Sequence, residues 1–197
     1  MGIGRMPSLA AGVNRSGELA FILALLTATP MPTLASEVAP KRPADEAAAT
    51  KSDLFSEQAY QLHANSCAGL YAALGNGAVA GSTYTLRTKV DGAAPNAHPV
   101  QGTVGMTYNL PNAKGPAAAL VSAVPVGKKC EGQFVRIVPF QIDCNQILRD
   151  FPTGSKLIGN LSGVPFYELG GKGGQALTIP SGKTCVVVSI VQGEQQL

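Results

Sequence analysis

The chain has 197 residues, 45% hydrophobic and only 14% charged, with 23 Gly and 14 Pro. This allows one sizeable core and argues against a long-helix bundle. The formal net charge of +3 comes from scattered Lys and Arg, without the basic stripe and interleaved aromatics of a phosphate-backbone binder, so no nucleic-acid partner is expected.

Residues 1–35 read as a signal peptide. Arg5 and Arg15 form a positive lead-in, "LAFILALLTA" (19–28) is an apolar run, and Pro30 and Pro32 break it. Thr33 and Ala35 are small residues at the two positions a signal peptidase reads, which places cleavage after Ala35. As a helix the apolar run spans only ~15 Å, about half a bilayer core, and nothing later is long and apolar enough to cross, so no membrane insertion is expected after cleavage. Residues 36–52, rich in Ala, Pro and charge, carry too little apolar surface to repay ordering and read as a flexible linker.

A single globular domain is expected over 53–197. From Asp53 to Leu74 apolar residues recur at threes and fours, which predicts one amino-terminal helix capped by Asp53 or Ser56 and ended by "GNGAVAG" (75–81). The period then becomes two. "STYTLRTKV" (82–90) and "VQGTVGMTYNL" (100–110) predict an antiparallel pair, the second with Val100, Val104, Met106, Tyr108 and Leu110 on one face. Further strands are expected at 117–126, 133–140, 164–169, 175–180 and 185–191, with a short helix capped by Asp143 between them. The fold class is therefore α+β, one helix on an antiparallel sheet of about six to seven strands, closed by one or two disulfides.

An internal echo accompanies these strands. "VPVGKKCEGQFVRIV" (124–138) and "IPSGKTCVVVSIV" (179–191) share Pro, one residue, Gly-Lys, one residue and Cys before a β-rich run. Both read as hairpins turning at Gly127 and Gly182, with Cys130 and Cys185 just past the turns. Duplication and a coincidence of common hairpin chemistry both account for the match.

Behind a signal peptide, Cys67, Cys130, Cys144 and Cys185 read as a disulfide framework. A strand across 133–140 would hold Cys130 and Cys144 about 25 Å apart, far beyond the roughly 5 to 6 Å of a bridge. Of the pairings left, Cys67 with Cys144 and Cys130 with Cys185 is preferred, because it joins the helical segments to each other and the echoed hairpins to each other. Cys67 with Cys130 and Cys144 with Cys185 stays open.

His63 stands four residues before Cys67, so one helix would put both on one side. Zinc needs three or four ligands, however, and the chain has no CxxC or HExxH and only one further His, His98. No metal and no cofactor are expected. A Cys67 thiolate activated by His63 or His98 would require Cys67 to stay reduced in an oxidising space. "GGKGG" (Gly170, Gly171, Lys172, Gly173, Gly174) lacks the Ser or Thr that would follow a phosphate-loop lysine and reads as a mobile hairpin loop. The resulting expectation is an exported, periplasmic or secreted, non-catalytic binding or accessory module of the cell envelope. It would contact a protein partner through "GGKGG" or the His98 loop and is a candidate inhibitor of an exported enzyme. The alternatives are a small envelope enzyme using His63 or His98 with Cys67 or an acidic residue, and a structural envelope component.

Overall fold

The computed structural model describes residues 53–197. The signal peptide and linker expected over 1–52 lie outside the described residues. Asp53 caps α1 (Leu54–Gln61): its carboxylate accepts from the Phe55 amide at 3.1 Å and from the Ser56 hydroxyl at 2.9 Å.

The single helix expected over 53–74 is two helices. The Ala64 amide donates to the Ala59 carbonyl and the His63 amide to the Tyr60 carbonyl, the bond pair of a Schellman ending. His63, at φ 60°, takes the left-handed position that glycine usually fills. The chain restarts at Cys67, which precedes α2 (Ala68–Ala78). This helix runs through Gly75 and Gly77 instead of stopping there. Gly75 lies under the Phe55 ring, where a Cβ would collide, so this glycine makes room for the aromatic, whereas Gly77 is exposed and a Cβ there would only touch Phe134.

Eight strands follow: β1 (Ser82–Lys89), β2 (Val100–Asn109), β3 (Lys114–Val126), β4 (Lys129–Phe140), β5 (Lys156–Leu161), β6 (Val164–Glu168), β7 (Gln175–Ser181) and β8 (Thr184–Gln196). The count exceeds the expected six to seven because β5, whose side chains are mostly exposed, lacks a clear alternating pattern. Leu110 falls just past the end of β2 and is exposed, unlike Val100, Val104, Met106 and Tyr108, which are buried. Between β4 and β5, α3 (Cys144–Ile147) begins with a reciprocal capping box, in which the Asp143 side chain accepts from the Gln146 amide and the Gln146 side chain accepts from the Asp143 amide.

All strands join one antiparallel sheet in the order β1-β2-β3-β4-β8-β7-β6-β5. Two four-stranded meanders thus meet at β4 and β8. The echo lies at equivalent places in both. Gly127 and Gly182, each at φ 62°, open two-residue turns, and Pro125 pairs with Cys130 as Pro180 pairs with Cys185.

The helices cover one face of the sheet. Against it Phe55, Tyr71, Leu70 and Leu74 pack on Val100, Val104, Val121 and Phe134, and the Phe55 ring meets Tyr71 edge-on and stacks on Tyr84. A smaller core of Ile147, Ala176, Cys185 and Val187 lies beneath α3, and Phe140 touches both cores.

The disulfides are Cys67 to Cys130 and Cys144 to Cys185, with Cα separations of 5.7 and 4.9 Å. The preferred pairing of helix with helix and hairpin with hairpin is therefore corrected. Each bridge instead ties the start of a helix to the hairpin cysteine beneath it, because α2 and α3 lie over different halves of the sheet. Cys130 and Cys144 are separated by β4, as its length requires.

Candidate functional site

The "GGKGG" segment joins β6 to β7 and is tied down at both ends. The Leu169 amide donates to the Gly174 carbonyl at 2.8 Å, and the Gly170 amide donates to Ser155 Oγ at 2.9 Å. The Ser155 hydroxyl in turn donates to the Pro152 carbonyl at 2.7 Å. Gly170 sits so close to the Thr153 carbonyl, and Gly174 to the Ile190 carbonyl, that a Cβ at either would collide. Gly171 and Lys172 both take positive φ, at 63° and 61°, which turns the exposed Lys172 outward at the tip. The loop expected to be mobile is thus a turn tied at both ends by hydrogen bonds and by the close approach of its glycines to neighbouring carbonyls.

A groove of about 510 Å³ lies beside this turn. Lys156 and Glu168 form one wall, Gln175, Ile190 and Gln192 the floor, and the glycine turn the other side. Lys156 Nζ lies 2.8 Å from Glu168, whose hydrogen bond and charge hold the ammonium above its ordinary pKa. Lys172 makes no ion pair among the described residues. The sequence marked the turn by its glycines. Nothing in it pointed to Ser155 as the anchor of the turn, or to Glu168, Gln175 and Ile190, which reach the groove from β6, β7 and β8.

His98 belongs to a second, shallower groove of about 330 Å³ with Lys89, Asp91 and Gln101. Its Nε2 is 3.8 Å from Asp91, and both side chains are about half exposed. The loop carrying it is anchored by Asn96, whose Oδ1 accepts from the Ser66 amide at 3.0 Å and the Ser66 hydroxyl at 3.2 Å. The His98 and Lys172 loops occupy the same end of the sheet, but β3, β4 and β8 separate them, a span of about 20 Å at ordinary strand spacing.

Cys67 lies near the His98 loop through its neighbour Ser66, yet its sulfur is bonded to Cys130, and no free cysteine exists among the described residues. His63 is not on the helix that Cys67 begins, so the spacing of four does not bring them onto one helical face. No group of three or more His, Cys, Asp and Glu suited to a metal occurs among the described residues, and no helix there is long and apolar enough to cross a membrane.

No protein-family model matches this chain, and neither the curated proteins nor the solved structures contain a match to it.

Several acidic groups among the described residues are engaged in structure. Asp53 and Asp143 cap helices, Glu168 pairs with Lys156, and Glu131 and Glu194 flank Lys129 at 2.9 and 3.0 Å. The hydrogen bonds from Glu131 and then Glu194 hold the Lys129 ammonium above its ordinary pKa. Two disulfides in a chain of this size are compatible with an oxidising extracellular or periplasmic compartment.

Proposed function

We propose that the protein is an exported, non-catalytic binding module of the cell envelope that presents the Gly170–Gly174 turn and its adjoining groove to a protein partner. The observation that carries this reading is the tied turn itself. A Lys with no ion pair among the described residues stands on a positive-φ backbone, anchored by Ser155, above a groove floored by Gln175, Ile190 and Gln192. A loop already ordered loses little entropy when a partner engages it, which favours recognition. The disulfides favour the same reading, since they hold cysteine sulfur in bridges and stiffen the sheet that displays the turn. A specific form is inhibition of an exported enzyme, with Lys172 entering an acidic cleft.

The test is affinity capture from the native envelope with the wild-type chain and with Lys172→Glu. A partner retained by the wild type and lost by the charge-reversed chain is the expected result. An identical captured set from Lys172→Glu and from a chain shortened across 170–174 would remove the turn from the binding surface.

A further inference from the structure

Among the described residues nothing covers the sheet face away from the helices, and its centre is apolar. On β3, β4, β7 and β8 both faces carry apolar side chains, whereas a half-buried antiparallel strand ordinarily alternates apolar with polar. Leu120, Ile137 and Ile179 are 58%, 41% and 39% exposed. Val135, Val188 and Ile190 beside them are covered only in part. The register aligns them in rows: Leu120, Val135 and Ile190 in one, Ile137, Val188 and Leu177 in the next. The margin on the β1–β2 side is polar, where Thr85, Arg87, Lys89, Gln101 and Thr103 turn outward, and the far edge carries the Lys156–Glu168 pair at one end and exposed Leu161 at the other.

We infer that this face binds a second copy of the same chain, sheet against sheet. Area selects the occupant. From β3 to β6 this face spans five strands and three rows, about 24 by 20 Å at ordinary strand spacing and rise, apolar except where Gln175 and Glu168 end the Leu120 row. With its polar margin this approaches the ~800 Å² per partner of a stable dimer. A single helix, about 10 Å wide, would leave half of it wet. A second twisted sheet covers it, packing at about 10 Å with strands roughly 30° apart. Apolar centre and polar rim are also the ordinary anatomy of such a contact.

Charge sets the orientation. Arg87 makes no ion pair among the described residues, and Glu168 stands in the same cross-strand row at the other side of the sheet. A two-fold axis parallel to the strands lays β1 of one copy across the β5–β6 margin of the other, bringing Arg87 toward Glu168 of the second copy. The opposite overlay would set Arg87 against Arg87. A two-fold pair also carries two Lys172 turns; Gln175 and Ile190 of the adjoining groove lie within the dimer contact, so the dimer leaves the exposed turn, and not the groove floor, open to another protein, and it does not depend on the function proposed for that turn.

Sedimentation equilibrium of the full chain at about 100 µM, well above the micromolar dissociation constants at the weak end for such areas, reads the result. A mass of two chains is expected. Leu120→Lys combined with Ile137→Lys, both exposed in the single chain, should weaken association at least ~100-fold while circular dichroism stays unchanged. Tyr60→Lys, on the helix side, should leave the dimer intact. If the double-lysine chain fails to fold, Leu120→Ser serves in its place and should weaken the dimer in the same direction. A wild-type chain that stays monomeric, whether residues 1–52 or another protein covers the face, overturns the inference. So does a dimer that survives the folded outer-face variant. Capture unchanged by Lys172→Glu and by shortening 170–174, with the dimer intact, would count against the Lys172 turn alone.

Discussion

Val135 of β4 lies directly opposite Ile190 of β8, and each stands five residues beyond the cysteine of its hairpin. The two halves of the sheet therefore meet at equivalent points. Each half has a helix start bridged to the first residues of its last strand.

Non-reducing peptide mapping is accordingly expected to recover Cys67 joined to Cys130 and Cys144 joined to Cys185. The bridged residues are 63 and 41 positions apart, and chain-closure entropy for such loops differs by only ~0.4 kcal/mol. Replacing either pair by alanines should cost a similar ~2 to 4 kcal/mol in urea unfolding. A peptide linking Cys67 to Cys144 would contradict the arrangement.

Two glycines of β2 give a sharper test of packing. Gly102 lies on the helix-covered face, where a Cβ would strike the Tyr71 hydroxyl and crowd Leu86, whereas Gly105 points to the open face with nothing near it. Gly102→Ala should destabilise by ~1 to 3 kcal/mol through overpacking. Gly105→Ala should be neutral or stabilising by up to ~1 kcal/mol, since it restricts the unfolded chain without a clash. Denaturant midpoints at unchanged slope measure both.

Stability at alkaline pH should depend on Tyr71. Its ring is fully buried and its hydroxyl is 2.8 Å from Thr88 Oγ1. Burial pushes the phenol up to about 12 from its ordinary 10.0, against the opposing effect of the Thr88 hydrogen bond. Because the folded pKa is the higher one, the contribution is complete below pH 10.0 and is lost as pH rises toward about 12. The loss is about 2 to 3 kcal/mol. Tyr84 is also raised, by burial first and then by the charge of Asp53, so the informative quantity is the difference between wild type and Tyr71→Phe. That difference should shrink across this interval in urea titrations, and a constant gap would count against a neutral buried phenol.

The alternation in 82–90 and 100–110 made β1 and β2 legible, because one face of each strand meets the helices and the other meets solvent. Asp143 was legible as a cap for the same local reason. β5 was not, since its exposed side chains and bulge between Leu157 and Gly159 remove the period. Disulfide partners were hidden because they depend on which half of the sheet each helix covers, a property of strand order. "GGKGG" announced a turn. Its anchor Ser155 and the groove floor come from residues that only the sheet brings together. The double-sided apolar content of "CVVVSIV" marked a strand and left open what would cover its second face.

The break after α1 places a histidine where the backbone prefers glycine. At φ 60° a side chain with a Cβ costs ~1 to 2 kcal/mol relative to glycine. The cost is offset locally by the paired Schellman hydrogen bonds and the buried contact of Ala59 with the core beside Ala64. His63→Gly should therefore be neutral or stabilising by up to ~1 kcal/mol, and His63→Val should destabilise by at least ~1 kcal/mol, since a β-branched residue tolerates this region worst. His63→Asn should fall between them. Thermal melts of the three variants separate this backbone role from a chemical one: a residue needed for its imidazole would lose function in all three, whereas a residue needed for its conformation keeps function in the glycine variant. Retention of partner capture by His63→Gly is the expected outcome.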